Sequence, residues 1–376
     1  MNDFRFAFLP DAYYESLLTP DKIYLISWFS LPVSLLISHL SGYTQKWKKF
    51  IKISMEIILI FFLFYNTIDG FAAHQDEKFY QLIKLEYLEA NEQWDEIIQT
   101  AEESSHNYLY CNYQNLALAH KGELMKHLFD YSQNGPLSLV VENNKSKEVT
   151  QLLSQIYFTI GNIAAAQNMA FESNAGAIGK DNPEMMKLLI QTNLILGAYP
   201  VAEKYIHLLE QSWKYRQWAG EQRKFLYNDH AIESDSLLGM KRRDLPQKAD
   251  FIYLDGFIAD TEQTIQVNPK ERCAMEYVEA YLLLSKDMRG IKYIVEKYGG
   301  TPALTSLPSI MQEAVISYAE KDPDYCTKHG VTEETFERYR DYKQKYIECR
   351  NFGRNPADAL HAEYGNSYWY YLMFKQ

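Results

Sequence analysis

The chain has little of what most enzymes and metalloproteins rely on. Its four cysteines, Cys111, Cys273, Cys326 and Cys349, are widely spaced, with no CxxC pair and no zinc-like cluster, so no metal site is expected. Outside the cytoplasm a pair such as Cys326 and Cys349 can oxidise, but an isolated cysteine more commonly serves as a small buried apolar residue. There is no GxSxG, no Walker A and no GxGxxG after a strand, so no catalytic or cofactor-binding residue is assigned. Convincing alternating strands are missing too. An excess of positive charge is absent: the net charge is −11. In residues 1–73 six basic residues balance six acidic ones, so the whole excess belongs to residues 74–376. A domain of that sign repels phosphate backbones at long range, which argues against nucleic acid as a partner.

Charge is also missing from residues 23–40 (IYLISWFSLPVSLLISHL). At about 1.5 Å per residue this run crosses nearly all of a ~30 Å hydrocarbon layer. Pro32 is tolerated in a transmembrane helix, and Trp28 and Tyr43 suit its interfaces. A second apolar run, 53–68, spans about 24 Å as a helix and carries Glu56 one turn in, read as a charge at the interface. Lys46, Lys48, Lys49 and Lys52 lie between the runs. The positive-inside rule puts that turn in the cytoplasm and both flanks outside. The flank at 70–73 is a poor signal-peptidase site because Phe71 takes the −3 position, so retention as an anchor is expected. Residues 1–22, apolar and aromatic, fit an interfacial segment.

Beyond residue 74 apolar residues recur at helical spacing. Helices are expected at 108–131, 147–159, 163–172, 184–196, 200–219, 269–285, 288–298, 309–320 and 332–350, with breaks at Gly, Asn and Pro clusters between them. Leu153, Tyr157, Gly161 and Ala166 have the spacing of the tetratricopeptide signature. In the next unit Leu189, Gly197, Tyr199 and Ala202 follow, and both its Gly and its Ala lie 36 residues beyond their predecessors, close to the usual ~34. Weaker copies centre on Glu92-Gln93-Trp94, on Gly122 and on Lys286-Asp287-Met288. The expected fold is all-α: a transmembrane hairpin over 23–73, then a tetratricopeptide-like α-solenoid over 74–376 with an irregular insertion or hinge at 213–268.

The phrases NPKERCAMEYVEAYLLLSKDM (residues 268–288), LPSIMQEAVISYA (307–319) and SYWYYLMF (367–374) resemble a family of uncharacterised Bacteroidetes membrane proteins. The resemblance implies a membrane-embedded N-terminal part and a helical-repeat C-terminal half, and it implies no catalytic residues. This chain departs from fuller members in showing two spans only.

Three groups of polar residues merit weighing. His120, Glu123 and His127 share a helix segment, but the spacing is not HExxH, and a solvated face is the plainer reading. Asp255, Asp260 and Glu262 have no nucleophile beside them and suit helix ends. Arg338, Arg340, Lys343, Lys345, Arg350 and Arg354, interleaved with Tyr339, Tyr342 and Tyr346, form a basic stretch suited to an anionic ligand or lipid headgroups; the plainer reading is an exposed helix face whose tyrosines pack inward. The aromatic segment 368–374 reads as a final apolar element docking onto the last helices.

These readings converge on a non-catalytic scaffold in the bacterial inner membrane, its acidic domain in the periplasm, binding a partner protein or peptide in a groove between paired helices. The alternative is the C-terminal part of a polytopic envelope enzyme, glycosyl- or lipid-transferase-like, whose carboxylates would be Asp11, Asp21, Glu56 and Asp69.

Overall fold

The computed structural model describes residues 77–102, 107–177, 182–246 and 256–375, together with single positions in the apolar runs. Those single positions, Pro32, Ile53, Ser54, Ile57 and Phe61, are helical. Among the described residues no helix is long and apolar enough to cross a membrane; the two expected spans lie outside them apart from these five positions. The chain divides into two compact units, and the larger comprises Leu82–Gly176 with Asn182–Gln376.

The described residues form helices and no strand; isolated bridges occur only around Gly299, Thr301 and Leu304. In chain order the helices are α1 (Glu77–Ala90), α2 (Trp94–Glu102), α3 (Tyr108–His120), α4 (Leu124–His127), α5 (Lys147–Thr159), α6 (Ile163–Gly176), α7 (Pro183–Ile195) and α8 (Tyr199–Glu210). There follow α9 (Arg216–Gln222), α10 (Asp229–Ser234), α11 (Leu238–Arg243), α12 (Phe257–Val267), α13 (Arg272–Leu284) and α14 (Met288–Tyr298). The last are α15 (Ser309–Ala319), α16 (Pro323–Lys328), α17 (Glu333–Asn351), α18 (Pro356–Tyr364) and α19 (Tyr368–Phe374). Caps explain many of the starts: the side chains of Ser146, Asn182, Thr332 and Ser367 each accept a backbone N–H of the first turn they precede, satisfying donors that have no partner inside the helix.

The helix ends repeat one device. After α1, α3, α5, α7 and α13 a residue at positive φ (Glu92, Gly122, Gly161, Gly197, Lys286) reverses the chain. In each case the following N–H reaches back five residues: Gln93 to Leu88, Glu123 to Leu118, Asn162 to Tyr157, Ala198 to Asn193, and Asp287 to Leu282, all at 2.8–3.0 Å. This is the Schellman closure, which satisfies the last carbonyls of the helix and starts its successor within two residues. Two expected helices are shorter in the structure, the first because of this closure. The one expected at 108–131 is broken at Gly122, and the one at 200–219 ends at Glu210 before α9 begins.

Consecutive helices α5 to α8 pack on one another in order. Their apolar faces form one core around Ala166, Met185, Leu189, Ala202 and Ile206, joined by Phe225 and Leu238 from the segment beyond α8. A larger core joins α1–α5 to α12–α19, and Tyr157 packs against both. Among the described residues of 213–268, the chain forms α9 to α12 and folds back onto the repeat turns. Lys241, nearly fully buried, donates Nζ to the Thr159 carbonyl at 2.7 Å. Arg242 donates to the carbonyls of Ile195 at 3.0 Å and Leu194 at 2.9 Å, and to Asp229 at 2.7 Å. Cations placed on the terminal carbonyls of α5 and α7 satisfy orphan acceptors and complement both helix dipoles.

Gly161 carries a second constraint from this clasp. A Cβ there would stand 2.8 Å from Asp244 Oδ2 and 3.0 Å from Thr264 Cγ2, whereas one at Gly197 would meet nothing within 4 Å. Both residues lie at positive φ, which costs an L-residue about 1–2 kcal/mol. Gly197→Ala is expected to show that cost alone. Gly161→Ala adds overpacking of about 1–3 kcal/mol, and urea unfolding of the two variants measures the difference.

Candidate functional site

A groove of ≈ 430 Å³ opens between the turn after α4 and the last two helices, lined by Phe129, Tyr131, Gln133, His361, Asn366 and Tyr371 among others. Its two sides come from opposite ends of the described chain. Asn366 Nδ2 donates to Asp130 Oδ1 at 3.1 Å across 236 residues of sequence, and the other oxygen of Asp130 is 2.6 Å from His127 Nδ1. Below, Phe129 stacks on Tyr371 with centroids 4.8 Å apart. The Tyr371 hydroxyl donates to the Leu284 carbonyl at 2.9 Å, and Lys286 Nζ lies 5.2 Å above its ring. Gln133 is buried and pairs with Asn115 through two amide bonds of 3.1 and 3.2 Å, which locks the turn from beneath. The groove thus has a rigid aromatic floor and a polar rim with both donors and acceptors.

The last helices owe their position to a buried carboxylate. Glu313 on α15 accepts the Tyr368 N–H at 2.7 Å and an Arg338 Nη1 proton at 3.0 Å, while its main-chain carbonyl accepts Trp369 Nε1 at 2.9 Å. Burial pushes the Glu313 carboxyl up to about 7, against the opposing pull of the Tyr368 N–H and of Arg338. Two further acids are raised to about 8 by burial: Glu89, near Glu184 and Glu86, and Glu279, whose nearest cation is Arg272. Both Glu279 oxygens lack a hydrogen-bond partner, and Arg272 Nη2 remains 3.8 Å away.

The residues singled out by sequence are scattered by the structure. His120 stacks on Trp94 at 4.0 Å and lies 3.0 Å from the Thr159 hydroxyl. Glu123 pairs with Lys121 at 3.2 Å, and only His127, through Asp130, borders the groove. Asp255 lies outside the described residues, as do Asp11, Asp21, Glu56 and Asp69. Glu262 accepts Lys297 Nζ and the Tyr298 hydroxyl, each at 3.0 Å. The basic stretch is largely paired internally: Arg338 with Glu313, Arg340 with Glu333, Lys343 with Glu320, and Lys345 with Asp341 and Glu363. Its tyrosines pack inward, Tyr339 and Tyr342 against Trp369 and Tyr346 against Phe374. The four cysteines are free, and no metal-binding group of three or more acidic, His or Cys residues occurs among the described residues.

Sequence reasoning missed the Lys241–Arg242 clasp, the buried acids and the groove. The only signal for the clasp was the Lys241-Arg242-Arg243 triplet itself. Fold and groove together define a class: an all-helical protein of short helices joined by closely similar turns, with an aromatic, polar-rimmed cleft near its C-terminal end. Within that class the chain belongs to DUF6057, a family of unknown function whose sequence model matches residues 1–375. No curated protein and no solved structure matches it.

Proposed function

We propose that the chain is a membrane-tethered, tetratricopeptide-like scaffold of the bacterial envelope that binds a partner protein or extended peptide and performs no chemistry itself. The recurrent turn supports the repeat reading. Gly161 and Gly197 stand 36 residues apart, near the ~34 of the tetratricopeptide unit, and Ala166 and Ala202 are fully buried where paired helices approach closely. The tether is supported by Ile53, Ile57 and Phe61, exposed at 46%, 48% and 69%. Steps of four place these three on one helix face, and an apolar face of that kind is matched by lipid. The lysines at 46–52 of the sequence support a domain on the periplasmic side of the inner membrane, in keeping with the resemblance to Bacteroidetes membrane proteins.

The observation that carries recognition is the groove. Its volume lies within the ~300–1,000 Å³ of ligand sites. Its floor is fixed by the buried rings of Phe129 and Tyr371, so little order has to be gained on binding, and a rim with donors and acceptors suits a peptide backbone. Crosslinking in the intact envelope, followed by identification of what is attached, is expected to recover a discrete protein. Its affinity for the chain should fall about tenfold in a His361→Ala/Glu363→Lys variant, as expected for loss of rim contacts. Recovery of lipid or glycan alone would contradict the scaffold.

A further inference from the structure

Trp213 stands almost wholly in water. It is 95% exposed, on the turn between α8 and α9, and an indole held there leaves a large apolar face without contacts. Its neighbours Lys214 and Arg216 are exposed, and neither forms an ion pair among the described residues. The end of α8 arranges the cations around it. Arg216 Nε donates to the Glu210 main-chain carbonyl at 3.0 Å, and Arg223 holds the Glu210 carboxylate through two bonds of 2.6 and 2.8 Å. The Glu210 carboxylate is therefore occupied by Arg223, and neither Lys214, whose Nζ lies 4.9 Å over the Tyr215 ring, nor Arg216 has a carboxylate partner among the described residues. With Arg223 held by Glu210, three basic side chains of residues 213–224 (Lys214, Arg216, Lys224) stand against one acidic one, Glu221, in a chain whose net charge is −11.

We propose that this turn is a second membrane contact, with Trp213 entering the headgroup layer of an anionic bilayer and Lys214 and Arg216 pairing with lipid phosphates. Tryptophan favours that layer because its ring is apolar and its N–H polar, and cations near an anionic surface add attraction that salt screens. A protein hot spot is normally ringed by packed contacts that exclude water. One protruding ring flanked by flexible cations needs no such complement and suits a fluid surface. The reverse sign of this turn within a domain of net negative charge also favours its approach to the lipid surface over that of the acidic regions. The contact rests on the tether proposed above, which makes a weak interaction intramolecular and hence effective.

The test uses the full-length chain reconstituted in phosphatidylcholine vesicles with and without phosphatidylglycerol, the acyl chains brominated to quench tryptophan in the bilayer. The readout is emission of the wild type minus that of Trp213→Phe. With phosphatidylglycerol the Trp213 emission is expected to fall at least twofold. The loss should disappear in pure phosphatidylcholine, in high salt and in a Lys214→Glu/Arg216→Glu variant that keeps the indole. Equal quenching with and without phosphatidylglycerol would overturn the proposal, as would unquenched emission accompanied by a Trp213-dependent crosslink to an acidic protein. Release of the chain by alkaline carbonate would contradict the tether alone; the same quenching, measured on the released chain with added vesicles, still decides the Trp213 contact.

Discussion

Replacing Trp369 with alanine is expected to cost about 3–5 kcal/mol of stability, the usual range for deleting a buried large aromatic. Trp369 is 2% exposed and sits where three restraints meet. Its Nε1 donates to the Glu313 carbonyl at 2.9 Å, its ring packs on Tyr339 and Tyr342 with centroids 5.1 and 5.7 Å away, and its carbonyl accepts the Tyr342 hydroxyl at 3.4 Å. Removing the indole opens a cavity and deletes one hydrogen bond to the Glu313 carbonyl, which keeps the Ser317 hydroxyl as a donor at 2.9 Å, so the cost is mainly that of the cavity. The consequence is directional. Helix α19 keeps its main-chain bonds to Glu313 and Tyr342 but loses the ring packing that presses it on α15 and α17, and the groove wall that carries Tyr371 loosens. Urea unfolding should therefore show the full loss, and groove binding should weaken with it. Phe352→Ala, at a ring 76% exposed, provides the contrast and should change stability by about 0.5 kcal/mol or less. A Trp369→Ala variant as stable as Phe352→Ala would mean that α19 is not fixed in this way.

The second large effect concerns pH. Glu279 is fully buried, has no hydrogen-bond partner on either oxygen, and is raised by burial from 4.5 to about 8. The folded state thus prefers the neutral acid, whereas the unfolded chain ionises near its ordinary value. Below pH 4.5 both states are protonated and the residue has no effect. As pH rises from 4.5 toward about 8 the unfolded state releases its proton first, so stability falls through that window and levels off above it. At ~1.4 kcal/mol per unit the total is on the order of 5 kcal/mol. Glu89, raised to about 8 from the same ordinary value, acts with the same sign. Glu279→Gln removes one proton-linked group while keeping the shape. Its stability should decline less steeply across the window than that of the wild type, so its relative gain is largest near pH 8. The amide must still find partners, at about 1–3 kcal/mol if it does not, so the slope is the cleaner readout. Parallel slopes for the two proteins would exclude Glu279 as the source.

Much of the helical layout is legible in the sequence because it depends on local signals. The expected helices 147–159 and 288–298 coincide with α5 and α14, each preceded by a capping side chain and followed by a chain reversal. The glycines at 161 and 197 announce their turns. At Glu92 and Lys286 the same reversal is made by residues that ordinarily avoid positive φ, and there the signal weakens to a break in apolar spacing. What remained hidden depends on distant partners. Nothing local marks Lys241 and Arg242 as caps for helices ending 82 and 47 residues earlier, respectively. A glutamate on an amphipathic helix reads as solvated, so the burial of Glu279 emerges only when α13 is packed. The inward packing of Tyr339, Tyr342 and Tyr346 followed from helical spacing, whereas the pairing of Arg338, Lys343 and Lys345 needed Glu313, Glu320 and Glu363 from other helices. The groove is the extreme case, since Asp130 and Asn366 meet across nearly the whole helical region.

Recognition by the proposed scaffold requires the groove to be the surface that meets a partner. A photoreactive residue placed at Ala362, exposed on the groove wall, tests this in the intact envelope against the same residue placed at Phe171, exposed at 56% on α6 and not part of the groove lining. The predicted result is one discrete protein adduct from position 362, weakened by Tyr131→Ala, and none of that mass from position 171. Equal adducts from both positions, or labelling from 171 alone, would contradict it.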